Sequence, residues 1–210
     1  MRCLTPSLTV MSRSMSSSEE LILKSARTEL AKSGILGLRV AEVARGAHCS
    51  ITNIYRYFGD RDGLLARVLG DMYEEFTEQA VASYLALFEG RNDVTVDELA
   101  RAIPLPRSEQ SIKMQEFRLQ IMAAATENPQ LLARLEDITR KRASAWINGV
   151  EILRSRMAAG EDFDERVFLI QLANHMPFYN YLLGDMGATE EQFQQFVADK
   201  LRANPQPRQN

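Results

Sequence analysis

The chain has 210 residues, of which 45% are hydrophobic and 25% charged, and its formal net charge is −3. That balance fits a soluble globular protein of one or two domains, and no run approaches the 18 uninterrupted apolar residues of a membrane span. The two cysteines, Cys3 and Cys49, are a poor basis for a disulfide and fit a reducing cytoplasm. The net charge hides an asymmetry: residues 1–70 carry 10 Lys+Arg against 6 Asp+Glu, whereas residues 71–210 carry 15 against 22. A basic head on an acidic body suits a reader of DNA with a second function behind it.

Residues 1–17 are polar, Ser-rich and without periodicity, which predicts a disordered arm; Leu8 to Met11 is too short for the apolar core of a signal peptide. Ser17 or Ser18 then caps a first helix with Glu19 and Glu20 in its opening turn, and Gly34 is the expected breaker at its end. Two short amphipathic segments follow. Val40, Val43, Ala44 and Ala47 give one apolar face; Ser50 is a good N-cap for a second helix in which Ile51, Ile54 and Phe58 share a stripe, stopped by Gly59 and Asp60. Only His48 and Cys49 remain to turn the corner. A helix, a tight turn and a second short helix predict a helix-turn-helix, whose second helix enters a DNA major groove. On that helix Thr52, Asn53, Arg56 and Tyr57 are expected outward, none of them acidic. Asn pairs bidentately with adenine, Arg with guanine, and a Thr methyl meets a thymine methyl. Tyr55 and Tyr57 carry hydroxyls that reach phosphate oxygens.

From Ile22 to Leu69 the chain resembles the N-terminal domain of the tetracycline-repressor (TetR) family of transcriptional regulators. The resemblance is carried by ILKSARTELAKSGILGLRV, AEVARGAHCS, ITNIYRYF and GDRDGLLARVL. It implies an N-terminal DNA head and a C-terminal body that senses a ligand and dimerises. It also implies that Arg61, at the start of the next helix, grips phosphate, and adds Ser50 to the DNA-facing set. Two positions depart from the pattern. His48 stands where the family usually has glycine, and Arg39 where a Ser or Thr usually caps the second helix. His tolerates a left-handed conformation, and Arg39, unable to cap with an oxygen, is assigned a phosphate instead.

The head is therefore expected over residues 18–66 and the body over 67–204, with 205–210 a loose tail. From Asp62 an apolar stripe at three- and four-residue spacing runs toward Leu87 and Phe88, predicting a long connecting helix with a kink near Thr77. A short helix is expected from Asp97 to Ile103, stopped by Pro104 and Pro106. Helices follow over 108–126 and 130–158, the latter ended by Gly160, then from Asp164 to about Gly184 and from Thr189 to Ala203. No segment alternates strictly, so the fold class is all-α.

The sequence offers no glycine-rich phosphate loop, metal-ligand spacing or nucleophile elbow, and it holds only two histidines. An enzyme, a cofactor and a metal site are not expected. The body instead carries a Met- and aromatic-rich set suited to an adaptable apolar pocket: Met114, Phe117, Met122, Trp146, His175 and Tyr179, with Arg118 either solvated or an anchor for an anionic group. The resemblance implies dimers formed through the last two helices, with Phe168, Leu172 and Leu183 on one and Phe193, Phe196, Val197 and Leu201 on the other; the same stripes also suit contacts within one chain. The expected protein is a cytoplasmic homodimer that binds a palindromic operator in double-stranded DNA, contacts no membrane, and is released by a small-molecule effector. The alternatives are an all-α enzyme or small-molecule binder keeping the helix-turn-helix as scaffold, and a ligand-blind DNA-binding regulator.

Overall fold

A computed structural model describes residues 17–103, 108–173 and 189–203 of the chain. Among these the regular structure is helical, apart from one isolated bridge between Val94 and Met157. The chain forms two compact units, Met1–Val68 and Leu69–Asn210. No helix among the described residues is long and apolar enough to cross a membrane.

The first unit, the head, contains α1 (Ser17–Gly37), α2 (Val40–Gly46), α3 (Ile51–Phe58) and the start of α4 (Arg61–Ala86). Ile22, Leu23, Ala26 and Leu30 form the buried stripe of α1 and recur at helical spacing. Val43, Ile54, Leu64 and Val68 close the head's core from the other elements. Gly34 does break the helix, with φ 71° and ψ 177°, but one further turn runs on to Gly37. That extra turn is held because Ile35 and Leu38 are buried on either side of the exposed Leu36.

The second unit, the body, takes the rest of α4 with α5 (Val96–Ala102), α6 (Glu109–Glu127), α7 (Pro129–Arg154), α8 (Glu165–Ala173) and α9 (Glu190–Ala203). Local signals explain the starts. Thr95 and Glu98 form a reciprocal capping box on α5, Ser108 caps α6, and Asn128 accepts from the Leu131 amide at 2.9 Å with Pro129 in the first turn of α7. α4 is one helix through Thr77, whose buried hydroxyl donates to the Glu74 carbonyl at 2.9 Å. α7 stops at Arg154, earlier than Gly160, because Val94 draws the following residues into a bridge. Its amide donates to Arg156 O at 3.0 Å, and the Ala158 amide donates back to Val94 O at 2.9 Å.

The body's core is aromatic at its centre. Tyr84, Trp146, Phe163 and Phe168 meet with ring centroids 5.2–6.2 Å apart, edge-on or tilted, the arrangements that aromatic quadrupoles favour. The Tyr84 hydroxyl donates to Leu99 O at 2.9 Å, and burial pushes its pKa well above the usual tyrosine value. α9 lies across α5 and α8 and inserts Val197 and Leu201 into this core. Phe168, Val197 and Leu201, read from sequence either as a dimer seam or as contacts within one chain, belong to this core. All three have no accessible surface in the single chain, where α9 packs on α5 and α8. Leu172 and Phe193 are half-buried against the same core, and Phe196 alone of the described seam residues is turned outward, 52% exposed. Leu183 lies outside the described residues.

Candidate nucleic-acid interface

The corner between α2 and α3 is set by backbone hydrogen bonds. α2 buries Val40, Val43 and Ala44, and Ser25 Oγ on α1 donates to the Val43 carbonyl at 2.9 Å. Gly46 permits that close approach, since a β-carbon there would stand 2.3 Å from Ser25 Oγ. The chain leaves α2 through two bonds, His48 N–H to Arg45 O at 3.2 Å and Cys49 N–H to Ala44 O at 3.0 Å. These are the paired bonds of a Schellman motif, which needs a left-handed residue at the position His48 occupies. His48 supplies it with φ 52°, the only non-glycine residue with positive φ among those described.

Ser50 then caps α3: its hydroxyl oxygen accepts from the Asn53 amide at 3.1 Å. Gly59, at φ 82°, closes the other end with its amide on Tyr55 O at 2.8 Å, and Asp60 accepts from the Gly63 amide at 2.7 Å to start α4. Both ends of the eight-residue helix are thereby fixed, and Ile54, without accessible surface, anchors its middle.

Opposite Ile54 the helix presents Thr52 and Arg56, both exposed, flanked by Asn53 and Tyr55. Two details differ from the sequence expectation. Ile51 is 41% exposed rather than inward, and Tyr57 is half-buried beside Phe58, its ring centroid 6.2 Å away. At 100° per residue Tyr57 lies three positions from Ile54 and so shares its side of the helix. The Tyr57 hydroxyl accepts from Arg56 Nη2 at 3.4 Å, with the guanidinium carbon 5.1 Å from the ring centroid. No acidic residue occupies the first turn of α3.

The two flanking arginines occupy different settings. Arg39 precedes α2 in an extended conformation, is exposed, and makes no side-chain cap. Arg61 is engaged: Nη2 donates to Ile35 O at 3.2 Å and Nε to Leu38 O at 3.4 Å, with Asp62 3.8 Å from Nη1. It ties the irregular end of α1 to the start of α4, a role that sequence spacing did not announce because the two carbonyls lie more than twenty residues away in the chain.

In the body, the pocket expected from sequence does not assemble as one set. Met114 and Phe117 line a cavity of about 450 Å³ with Glu109, Gln110 and Lys113. Trp146 is 8% exposed and consumed by the aromatic core, while Met122 is 39% exposed, because Ile121 and Ala125 take the buried stripe of α6. His175 and Tyr179 lie outside the described residues. A second cleft of about 450 Å³ runs between α4 and α7, walled by Val81, Ala82, Leu85, Ile138 and Ala145, with Glu74, Glu78, Lys141, Arg142 and Asn148 at its polar positions. Sequence reasoning missed it. Arg142 belongs to the run Arg140-Lys141-Arg142, whose periodicity does not tell a cleft wall from a solvated face.

Residues 22–68 match the model of a family described as bacterial regulatory proteins, tetR family. The match spans the helix-turn-helix and leaves the body outside it. No curated protein matches the sequence. The fold is similar to that of a Mesorhizobium loti protein assigned to the TetR family of transcriptional regulators, with a TM-score of 0.59, 17% identity, and 90% of this chain covering 96% of that one. It is also similar to the multidrug binding protein EbrR complexed with imidazole (TM-score 0.55, 22% identity, 90% of this chain and 96% of that one). The third likeness is to GusR of Salmonella enterica (TM-score 0.52, 18% identity, 89% and 96%).

Proposed function

We infer that this chain, whose head at residues 22–68 is that of the tetR family of bacterial regulatory proteins, is a transcriptional repressor that leaves its operator when a small molecule binds the body. The observation that carries the DNA-binding reading is the face of α3. Thr52 and Arg56 stand outward with Asn53 and Tyr55 beside them, on a helix capped at both ends and anchored through Ile54. Arg matched to guanine and Asn to adenine would read base edges, while Arg39 and the Tyr55 hydroxyl would hold phosphates. Arg56 pre-organised against Tyr57 loses less freedom on docking.

One short helix reads few base pairs, so a palindromic site addressed by two copies is the physical expectation. The exposed apolar residues Phe196 on α9 and Ile170 on α8, 52% and 64% exposed, support a homodimer through the last helices of the body. Release requires only that the effector bind one conformation of the dimer better than the DNA-bound one. The cellular place would be the cytoplasm, and no chemistry is assigned to the chain as an enzyme.

Binding to DNA from the region upstream of its own gene, across a salt series and against a scrambled duplex, tests this reading. Tight binding centred on a palindrome with two protomers per site is expected. Affinity no better than for scrambled DNA at every salt would reduce the head to a scaffold. Within that assay, Asn53→Ala and Arg56→Ala should each weaken the specific site by about 1–3 kcal/mol with the fold intact. Unchanged affinity in either folded variant would show that α3 presents another face. A ligand-blind regulator is the second reading, favoured by the loss of Trp146 to the core and of Met122 to the surface. A DNA-binding protein whose affinity no small molecule alters would establish it.

A further inference from the structure

Most of the cations facing α4 in the body have a carboxylate. Arg134 meets Asp71 at 2.5 Å and Glu74 at 2.9 Å, and Lys141 meets Glu74 at 3.1 Å and Asp137 at 3.4 Å. Two cations do not. The guanidinium of Arg118, on α6, lies 5.3 Å from the ring centroid of Phe76 and 5.9 Å from that of Tyr73, and Nη1 donates to Gln115 Oε1 at 3.2 Å. None of these neighbours is an anion. Arg142 is half-buried on α7, where it lines the cleft between α4 and α7. Among the described residues neither Arg118 nor Arg142 forms an ion pair. Burial pushes the Arg118 pKa below the usual arginine value, the Tyr73 hydroxyl opposes that shift, and the like charge of Arg142 adds a smaller push downward. A half-buried charge without a counter-ion is costly to a folded chain. Arg142 lines the cleft and Arg118 stands near enough to feel its charge, a setting in which an incoming anion gains more than it would at the surface.

We propose that Arg142, reinforced by Arg118, receives the acid group of an organic anion whose apolar body lies along Val81, Leu85 and Ile138 in the α4–α7 cleft. This rests on the reading of the body as a sensor and names the class of its effector: a carboxylate or phosphate ester on an apolar skeleton. Arg142 grips the acid with its planar fork. Arg118, held by its rings and Gln115, supplies the second charge. Glu74 is occupied by Arg134 and Lys141, so it leaves the anion tolerated. Glu78, on the same wall, opposes it and sets a limit on affinity.

The test uses the intact protein and an aromatic sulfonate dye, 1-anilinonaphthalene-8-sulfonate, displaced by decanoate, decanol or decyltrimethylammonium, three probes with one chain and three head groups. Decanoate should displace the dye about tenfold better than either of the others, and the advantage should shrink as salt rises. Arg142→Gln should abolish the preference, Arg142→Lys keep part of it, Arg118→Gln weaken decanoate by about threefold, and Glu78→Gln tighten it. Equal displacement by the three head groups, or a preference that survives in an Arg118→Gln/Arg142→Gln double variant, would overturn the proposal. Should Arg142→Gln unfold by circular dichroism, the head-group series and its salt dependence on the wild type decide alone. DNA binding measured in parallel separates the two levels. Arg142-dependent decanoate binding that leaves DNA affinity unchanged upholds the anion site and refutes release driven from that site. Absence of any anion preference refutes the site and leaves release by other ligands standing.

Discussion

His48 is the residue on which the corner turns, and it turns there at a cost. A side chain beyond glycine in the left-handed region is disfavoured by about 1 kcal/mol, and here the Schellman bonds of His48 and Cys49 hold it in place. His48→Gly should therefore stabilise the free protein, read as a higher urea midpoint, by about 1 kcal/mol less whatever glycine adds to unfolded-state entropy. A lower midpoint would mean that the imidazole contributes a contact worth more than the strain. At the same scale Glu98 couples stability to pH. The Arg91 guanidinium 2.8 Å away, with the Thr95 amide, lowers its pKa from the usual 4.5 to about 2. A carboxylate depressed in the folded state stabilises above its unfolded pKa and loses that contribution as pH falls through the folded one. The melting-temperature gap between wild type and Glu98→Gln should thus be full above pH 4.5 and narrow toward pH 2. A gap that stays constant over that window would remove the ion pair from the stability of the α5 start.

Among elements, the head depends on how α1 ends and α4 begins. Ile35 lies in the last turn of α1 and Leu38 just beyond it, where carbonyls lack helical partners, and Arg61 takes both. Arg61→Ala should consequently destabilise the DNA-free protein by about 1–3 kcal/mol, because it orphans two carbonyls beside a buried stretch. Lysine, a point charge without the fork, should recover only part. If Arg61 serves phosphate alone, the free variant melts with the wild type and only its DNA affinity and salt slope fall. The head was largely legible before folding, since its signals are local. Ser50 as cap, Gly59 as stop, and the spacing of Val40, Val43 and Ala44 each act within a few residues. What stayed hidden was Arg61's second role, which depends on residues more than twenty positions away.

For the whole molecule, the proposed dimer turns on which apolar residues remain outside once each body has closed its own core. Phe196 remains, with Lys200 Nζ 5.6 Å from its ring centroid. Phe196→Glu should leave the thermal transition of the body nearly unchanged and shift sedimentation from dimer toward monomer. Operator affinity should drop with it, because two linked heads bind as one event and a single head does not. A variant that still sediments as wild type would place the contact elsewhere.

By itself the sequence determined what short-range physics can decide: an all-α chain, the two-helix corner, the caps, the absence of an acidic residue from α3, and a basic head before an acidic body. It could show that Phe168, Val197 and Leu201 lie on stripes, because period 3.6 marks a face. It could not show what covers that face, and only the tertiary structure decided that α5, α8 and α9 cover one another and leave Phe196 outside. The same holds for charge. Arg118 and Arg142 look like any other cations on their helices, and they become an unneutralised pair only when α4, α6 and α7 come together and the nearby carboxylates are taken by Arg134 and Lys141. Periodicity is a property of one helix, whereas burial and charge pairing are properties of several, which is why they appear only on folding.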